Sequence, residues 1–419
     1  MRLLRERETK REFVEHLLDG ALAHSRMDPA DKGLLQELVY GVVRWQGTLD
    51  HLIARKTGGR PQKPVLQILL RLALYQIFWL SRIPDHAAVN ETVELAKREG
   101  FSTQAGFVNA VLRGYLRERE QTERMLTELK ESNSALGYSH PAWLCDRWAG
   151  RMAREELIRL LAWNNTPPAT FARVNTLRTD ADSLREQWAQ ERVEARLVPV
   201  EWDPKAMVFE LTAFPPLASL PSFLQGKFYV QDPSTLLAVS ELDPQPGETV
   251  LDLCAAPGGK TTLMAARMNN QGCVVAHDPA FDRLRLVEEN CARLGVTCVR
   301  LSELAEEPGA SFDRILIDAP CSNTGVMRRR VDLRWRIREP ELARLRETQR
   351  QLLERAVPLL KPGGTLVYST CSLEPEENSG LIRDFLGAHP AMQLQKERAL
   401  TPWENGVDGA YVARLVSGG

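Results

Sequence analysis

The sequence predicts a multidomain chain with an all-α region first, a small α+β module next and an α/β doubly wound domain last. Three patterns indicate this order. Apolar residues recur at helical spacing up to about residue 130, short alternating segments then mix with helices, and strands finally alternate strictly with helices. We place the three regions at residues 1–135, 141–235 and 236–419.

The first region is predicted to be helical because its apolar residues return every three or four positions. One such run lies between Leu34 and Val42, and another lies between Leu66 and Ile77. The segment that begins at Pro84 is typical of a turn that leads into a helix. We therefore expect a single helical core in this region.

The middle module is predicted from shorter signals. A helical pattern covers 143–163, alternation over 170–175 predicts a strand, and 180–190 is helical again. Two further short strands are predicted at 208–211 and 227–230. This mixture indicates a small α+β fold.

The last region has the pattern of a doubly wound parallel sheet. The predicted strands are 249–253, 273–277, 296–300, 312–317 and 364–369, and the predicted helices are 260–268, 281–294, 339–359 and 376–388. Such sheets bind their ligands at the carboxyl ends of the strands. Functional residues are therefore expected where these strands end.

Composition and charge pattern exclude several classes of protein. The charged first ten residues contain no apolar core, so no signal peptide is predicted. The apolar stretch 65–80 contains Gln67, Arg71 and Gln76, which indicates a buried helix and not a membrane span. Seven cysteines without a secretion signal indicate free thiols in a cytoplasmic protein, and their spacing suits no metal site.

A glycine-rich turn follows the first strand of the predicted sheet. The turn, which we expect to bind a cofactor, consists of Cys254, Ala255, Ala256, Pro257, Gly258, Gly259 and Lys260. Its glycines allow the backbone to approach a ligand, and the next helix begins with free N–H groups. The Walker A pattern fails because Cys254 stands where a glycine is needed, and no dinucleotide pattern is present. A tight turn without a ligand is the alternative.

Polar residues at the next two strand ends extend this predicted cofactor site. Asp278 ends the second strand and can accept hydrogen bonds from both ribose hydroxyls of an adenosine. Ser302 and Glu303 follow the third strand, at a position where an aspartate often contacts the adenine amine. We include both residues in the expected cofactor site.

Two cysteines follow the remaining strand ends. Cys321 lies three residues after Asp318, and Cys371 follows a strand that ends in polar residues. A lone cysteine is usually a small buried hydrophobe, but two at one ligand-binding edge indicate a reactive pair. A thiolate that adds to C6 of cytosine activates C5 toward a sulfonium methyl group. A carboxyl such as Asp318 can assist at N3, and a second thiol can assist loss of the C5 proton.

These motifs resemble those of RNA cytosine-5 methyltransferases. The matching segments are 251–261, 318–322, 369–373, 323–329 and the region around Asn378. The resemblance implies a Rossmann-like catalytic domain with S-adenosylmethionine as methyl donor. It implies Cys371 as the nucleophile, Cys321 as the residue that aids product release, and Asp318 as a contact to the base. We assign Lys260 to the catalytic set too, and both Lys260 and Asp318 to the cofactor site.

The first 130 residues resemble the helical NusB-like RNA-binding module. The matching segments are 86–94 and 106–113. Joined to this catalytic domain, the module implies a bacterial enzyme that methylates 16S rRNA in the cytoplasm. We expect a monomer without a bound metal or a membrane contact, and the target cytosine stays open.

An arginine-rich run follows the Pro-Cys motif. The residues predicted to bind RNA are Arg328, Arg329, Arg330, Arg334 and Arg336. We expect them to line the substrate entrance and hold phosphates beside an extruded base. Trp335 can stack on a base or pack beneath the arginines, and a solvated face is the alternative for the whole run.

Three other functions agree with parts of this pattern. A DNA cytosine-5 methyltransferase attacks with the Pro-Cys cysteine, needs no cysteine at position 371, and has a DNA-recognition domain that is not found here. An exocyclic-amine methyltransferase should have an aromatic residue where this chain has Cys321. A non-catalytic RNA-binding scaffold is disfavoured because Gly258, Asp278, Asp318 and both thiols are retained.

Overall fold

The computed structural model of the chain describes residues 1–10, 12–23, 25–302 and 312–418. Its helices are α1 (Arg2–Thr9), α2 (Val14–Ala23), α3 (Pro29–Arg44), α4 (Gln46–Thr57), α5 (Pro64–Trp79), α6 (Asp85–Arg98), α7 (Ala105–Arg117), α8 (Arg119–Ser132), α9 (Ser134–Gly137), α10 (Ala142–Ala149), α11 (Arg154–Trp163), α12 (Ala181–Gln190), α13 (Pro221–Leu224), α14 (Leu236–Leu242), α15 (Gly259–Arg267), α16 (Leu284–Leu294), α17 (Leu333–Arg336), α18 (Glu339–Ala356), α19 (Ser379–Ala388) and α20 (Pro402–Asn405). Its strands are β1 (Thr170–Val174), β2 (Glu194–Val198), β3 (Val208–Ala213), β4 (Phe228–Val230), β5 (Thr249–Asp252), β6 (Cys273–Ala276), β7 (Val299–Leu301), β8 (Phe312–Asp318), β9 (Leu360–Thr370), β10 (Met392–Leu400) and β11 (Ala410–Ser417).

The chain forms two compact units that are not contiguous in sequence. The first contains Met1–Pro167 and Met327–Arg336, and the second contains Pro168–Val326 and Ile337–Gly419. Helices α10 and α11, which the sequence interpretation placed in the middle module, therefore group with the first unit. The first unit also takes in a short segment from the C-terminal half, which we call the crossing segment, residues 327–336.

The first unit is built around helix α5. This helix is apolar over most of its surface, and Leu69, Leu70, Ala73 and Leu74 have no exposed side-chain surface. A helix of this composition is stable only inside a core, so the neighbouring helices surround it with their apolar faces. The predicted helical pattern of this region is confirmed, and Val331 of the crossing segment joins the same core.

The crossing segment is held in the first unit by two buried charged side chains. Asp332 is fully buried and accepts hydrogen bonds from Arg7 at 2.6 Å and from the backbone N–H of Val14 at 3.2 Å. Arg334 is also fully buried, and its guanidinium donates to the carbonyl oxygens of Arg44, Ser139 and Asn164 and to Oδ1 of Asn165. These contacts satisfy groups that would otherwise be buried without partners.

Two arginines of the run, Arg328 and Arg334, differ from their predicted place at a substrate entrance. Arg334 is enclosed by protein, Arg328 is buried with its guanidinium 4.0 Å from the ring centroid of Trp163, and Arg336 binds Asp332 at 2.7 Å. Trp335 donates its indole N–H to the carbonyl of Val43 at 2.7 Å, so it packs within the unit. A phosphate contact is therefore not retained for Arg328 or Arg334, because their guanidinium groups are inside the protein. Arg330 is exposed.

Replacing Arg334 with alanine should destabilise the chain. The change leaves three backbone carbonyls without their donor and opens a cavity, so we expect the free energy of unfolding to fall by about 2–3 kcal/mol. Urea unfolding of the full chain measures this loss. The matched control is Arg330→Ala, an exposed position of the same segment, which should change stability by no more than about 0.5 kcal/mol. Equal stability of the two variants would contradict a structural role for Arg334.

The second unit begins with a four-stranded antiparallel sheet of order β2-β3-β1-β4. Helix α12 covers it through Trp188, whose ring meets Phe209 and Phe228 edge-on with centroids 5.4 Å apart in each pair. Edge-to-face aromatic pairs of this kind add stability beyond the area that they bury. The predicted α+β character of this module is confirmed.

A seven-stranded mixed sheet forms the rest of the second unit. Its order is β10-β11-β9-β8-β5-β6-β7, and the five strands β5 to β9 run parallel. The predicted doubly wound domain is confirmed, with one addition. Strands β10 and β11 form an antiparallel hairpin that extends the sheet beyond β9. Neither strand is among those predicted from the sequence, and β10 gives no alternating pattern because most of its residues are exposed at the sheet edge.

The described part of the chain contains neither a membrane-spanning helix nor a cluster of metal-binding side chains. Within residues 1–10, 12–23, 25–302 and 312–418, none of the helices combines the length and apolar character that a membrane crossing requires. Across the same residues, no group of three or more histidine, cysteine, aspartate or glutamate side chains is arranged to hold a metal ion.

Candidate active site

The parallel strands bring the predicted site residues to one edge of the sheet. Strand β8 pairs with β9 so that Asp318 is opposite Ser369, and β5 lies on the other side of β8. Because parallel strands end at the same edge, the segments after β5, β8 and β9 emerge next to one another. These segments carry the glycine-rich turn, Cys321 and Cys371.

The two predicted reactive cysteines are in direct contact. Their sulfur atoms are 3.3 Å apart, with Cys321 buried and Cys371 half-buried. The Cys371 thiol also donates to Oδ1 of Asn323 at 3.1 Å, and the Asn323 side-chain amide donates to the carbonyl of Cys321 at 2.7 Å. Asn323 has a φ of 57°, a left-handed conformation that asparagine tolerates better than most residues. One side chain therefore contacts both cysteines.

A close backbone approach joins the two cysteine-bearing loops. The N–H of Gly325 donates to the carbonyl of Cys371 at 2.9 Å, and the carbonyl of Gly325 accepts from the N–H of Gly409. A Cβ atom at position 325 would lie 2.7 Å from the Cys371 carbonyl oxygen, which no ordinary contact allows. Glycine is therefore required at position 325. Gly409, just before strand β11, packs against Gly325 equally closely, and this contact brings the C-terminal hairpin beside the site.

An ion pair lies beside the cysteines. Lys260 Nζ is 2.5 Å from Oδ2 of Asp318, whose Oδ1 accepts from the hydroxyl of Ser369 at 3.1 Å. Burial alone would lower the pKa of Lys260, but the charge and the hydrogen bond of Asp318, together with the nearby Cys371 and Asp252, outweigh burial and the pKa is raised. Lys260 therefore keeps its positive charge, which also acts on Cys371.

The environment of Cys321 is different. Its hydrogen bond with Cys371 and its burial raise the pKa of the Cys321 thiol well above the ordinary range, and the charge of Glu377 adds to the effect. Cys321 is therefore held as a neutral thiol. Because its sulfur contacts that of Cys371, the Cys321 thiol can donate a proton to Cys371.

The glycine-rich turn fits the predicted cofactor. Gly258 has a φ of 104°, and its Cα lies so near helix α16 that an added Cβ would be 3.2 Å from the Cα of Val287. Asp278 holds the turn by accepting the N–H of Ala256 at 3.0 Å and the N–H of Ala280 at 2.9 Å. Cys254 is buried enough that its thiol pKa is raised, so it belongs to the packing of the turn.

Two buried polar atoms near this turn lack partners within the protein. They are Oδ1 of Asp252, at the end of β5, and Nε2 of His277, at the end of β6. Buried polar atoms are almost always hydrogen-bonded, so their position beside the turn is consistent with a polar ligand there. Residues 255–259 and Asp278 would hold such a ligand through backbone and carboxylate groups.

The structure describes only one of the two residues predicted for the adenine contact. Ser302 is buried, donates its N–H to the carbonyl of Ala276 at 3.0 Å and accepts from His277 Nδ1 at 3.1 Å. It therefore continues the β6–β7 pairing and lies at the expected edge. Glu303 is outside the described residues.

A pH-dependent stability change is expected from Asp252. Burial raises the pKa of this carboxyl from 3.8 to about 7, although a hydrogen bond from Thr261 at 2.7 Å opposes the shift. The folded state thus keeps a proton that the unfolded chain has lost. The contribution of Asp252 to the free energy of unfolding therefore decreases as the pH rises from about 4 to about 7.

Thermal unfolding of Asp252→Asn tests this expectation. Because asparagine does not titrate, the Tm of the variant relative to the unchanged chain should increase between about pH 5 and about pH 7.5. The same substitution at the exposed Asp282 is the control. A relative Tm that is constant with pH would show that Asp252 does not hold the proton.

Sequence reasoning missed several residues of the site. Asn323 contacts both cysteines, and Glu377 is a buried carboxylate that binds the serines directly after them, Ser322 and Ser372. The sequence contains one signal for the two serines, because a serine directly follows the cysteine in both motifs. The involvement of Glu377 depends on the folding of the loop after β9, and no spacing rule predicts it.

Comparisons with known proteins identify the family. The family model for 16S rRNA methyltransferase RsmB/F matches residues 239–416, the NusB family matches 1–117, and the ferredoxin-like domain of RsmF/B-like methyltransferases matches 140–210. Ribosomal RNA small subunit methyltransferase B of Vibrio cholerae is 38% identical over 96% of this chain and 93% of its own length. The chain belongs to the RsmB/F family.

Other relatives agree with membership in the RsmB/F family. The protein of the same name from Cronobacter sakazakii is 39% identical over 93% of this chain and 92% of its own length. The crystal structure of PH0851 covers 99% of this chain and 96% of its own, with a TM-score of 0.79 and 26% identity. A methyltransferase homolog from Pyrococcus horikoshii covers 68% of this chain and 97% of its own, with a TM-score of 0.58 and 30% identity. As an RsmB/F member, the chain is an rRNA methyltransferase that uses S-adenosylmethionine.

Proposed function

We propose that this methyltransferase modifies carbon 5 of a cytosine in 16S rRNA through a covalent bond between Cys371 and C6. The observation that carries the proposal is the contact of two cysteine sulfurs at 3.3 Å at the carboxyl edge of the sheet. C5 and C6 are adjacent atoms of one ring. Of two thiols in contact, one can therefore bond to C6 while the other removes the proton from C5.

The first step is attack by the Cys371 thiolate. A bond forms between sulfur and C6, and the electron pair of the C5–C6 double bond moves toward C5 and the N3 side of the ring. The positive charge of Lys260 lies near the attacking sulfur, and its ion pair with Asp318 offers a donor and an acceptor to the polar edge of the base. S-adenosylmethionine supplies the electrophilic methyl group that C5 takes up.

The second step is release of the product. The C5 proton must leave so that its electron pair can restore the C5–C6 double bond and break the bond between C6 and sulfur. We assign this step to Cys321, which receives the C5 proton and gives its own thiol proton to the departing sulfur of Cys371. The direct contact of the two sulfurs and the raised pKa of Cys321 support this relay.

Nucleoside analysis tests the proposed reaction. Unmethylated 16S rRNA is incubated with the purified chain and S-adenosylmethionine, digested, and examined by mass spectrometry. We expect 5-methylcytidine, whereas N4-methylcytidine would indicate an exocyclic-amine methyltransferase. Methylation of a DNA copy of the same sequence at an equal rate would contradict RNA as the substrate. Because the substrate is ribosomal RNA, we also propose that the enzyme acts in the cytoplasm.

A phosphate contact through the exposed Arg330 is also proposed. Replacing Arg330 with alanine should weaken rRNA binding and reduce the salt dependence of affinity by about one unit in the slope of log K against log salt. Filter binding at several salt concentrations measures both effects. Arg334→Ala, which removes a buried arginine of the same segment, is the comparison for effects on folding. An unchanged slope in Arg330→Ala would make this side chain part of a solvated surface.

A further inference from the structure

A fully buried carboxylate contacts the residues that follow both cysteines. Glu377 has no exposed surface. Its Oε2 accepts hydrogen bonds from the hydroxyl of Ser322 and from the hydroxyl of Ser372, the latter at 2.5 Å. Its Oε1 accepts from the backbone N–H of Ser322 at 2.9 Å and from Nε2 of Gln349 at 2.8 Å. Four donors therefore converge on one side chain.

These contacts connect the two loops that carry the cysteines. Ser322 is bonded directly to Cys321 along the chain, Ser372 is bonded directly to Cys371, and the two serine hydroxyls are 2.9 Å apart. Gln349 of helix α18 adds a hydrogen bond to the carbonyl of Pro320 at 3.0 Å, just before Cys321. The carboxylate thus ties the loop after β8 to the loop after β9.

The chemistry of this arrangement indicates more than packing. A buried carboxylate is costly unless donors compensate for its lost hydration, and an apolar side chain of similar size would fill the space without that cost. An apolar side chain would, however, bind neither serine. Serine hydroxyls rotate freely unless an acceptor orients them, and here one acceptor orients both. The backbone on the C-terminal side of each cysteine is fixed as a result.

We propose that Glu377 is a positioning residue, which binds Ser322 and Ser372 together and thereby holds the sulfur atoms of Cys321 and Cys371 in contact. It acts through the two serines and is not placed at the reacting atoms. Its expected effect on the rates of attack and release rests on the proposed function. Its geometric consequence, the closeness of the two sulfurs, is independent of the reaction.

The first test measures that closeness without RNA. Diamide takes two electrons and two protons from a pair of adjacent thiols, so that a disulfide forms and diamide becomes the hydrazine. We expect a Cys321–Cys371 disulfide to form in the unchanged chain and to form about tenfold more slowly in Glu377→Gln, since small displacements strongly affect reactions between positioned groups. Peptide mass spectrometry follows the bond. Glu376→Gln, which makes the same charge change at the neighbouring exposed position, is the control.

The second test uses the reaction. In a Cys321→Ala background, the amount of RNA covalently bound to Cys371 reports attack alone. Adding Ser372→Ala should slow its formation by about tenfold or more, because a misplacement of about 1 Å costs on the order of 100-fold. Ser322→Ala removes the hydroxyl contact of the other loop, while the backbone N–H at position 322 still donates to Glu377, so it should slow attack less than Ser372→Ala does. In an otherwise unchanged chain, Ser322→Ala should instead slow release.

The outcomes separate the two proposals. If Cys321→Ala alone yields no bound RNA, the proposed reaction fails, while the disulfide measurement still decides the role of Glu377. Equal disulfide rates for the Glu377→Gln and Glu376→Gln chains overturn the positioning role. If Glu377→Gln does not fold, the Ser322→Ala and Ser372→Ala variants test the positioning role instead. If these two variants change the rate of attack equally and the rate of release equally, the positioning role of Glu377 is overturned.

Discussion

Replacing Cys371 with alanine should abolish methyl transfer to rRNA. The variant lacks the sulfur that adds to C6, and without that addition C5 is too weak a nucleophile, so the rate should fall on the order of 10⁴-fold or more. Transfer of a radiolabelled methyl group to 16S rRNA measures the loss. The cofactor turn does not contain this residue, so binding of S-adenosylmethionine should be retained in calorimetry.

The control for this result is another free cysteine of the second unit. Cys298→Ala removes a half-buried thiol before β7 and should keep activity within about twofold. If Cys371→Ala retained full activity while Cys321→Ala lost it, the nucleophile would be the Pro-Cys cysteine, as in the DNA enzymes considered above. Loss of activity in both variants, with bound RNA in Cys321→Ala only, agrees with the proposed roles.

Replacing Cys321 with alanine should instead trap the enzyme on its RNA. Attack by Cys371 and methyl transfer do not need the second thiol, but without it the C5 proton and the Cys371 sulfur leave slowly. We expect one methylated RNA per protein and a band of protein bound to RNA on denaturing gels. Turnover should fall on the order of 100-fold or more, the usual scale for loss of a proton-transfer group.

A double variant identifies the atom that carries the RNA. Cys321→Ala combined with Cys371→Ala should give no band, because the sulfur that forms the bond is absent. Digestion of the trapped species should leave a nucleotide on the peptide that contains Cys371. A nucleotide found on any other residue would contradict the assignment.

The order of elements in the catalytic domain was predictable from the sequence because each buried strand is short, apolar and followed by a helical pattern. The pairing of β8 with β9, and with it the meeting of Asp318 and Ser369, does not follow from this alternation, because β8 pairs with β5 on its other side and not with β7, the strand before it in sequence. Strand β10 was not predictable in this way. Its residues are mostly exposed, so the period of two that reports a buried face is absent.

The candidate site was predictable wherever a residue follows a strand. That rule finds Asp278, Asp318, Cys321 and Cys371, but it does not find Asn323 or Glu377, whose contacts depend on how loops fold back. The charge of the arginine run gave a separate prediction, which the structure contradicts for Arg328 and Arg334. A charge-rich segment is usually solvated, yet Arg334 is enclosed because its guanidinium meets carbonyl oxygens that need a donor.

The crossing segment has a consequence for how this protein can be divided. A fragment that ends at residue 167 would lack Val331 from its core and Asp332 as the acceptor for Arg7 and Val14. It would also lack the guanidinium that serves three carbonyl oxygens. The helical part of this chain is therefore complete only when residues 327–336 have been synthesised. During translation it cannot reach its final stability before the glycine-rich turn and the Pro-Cys motif have been made, although the segment that carries Cys371 follows later.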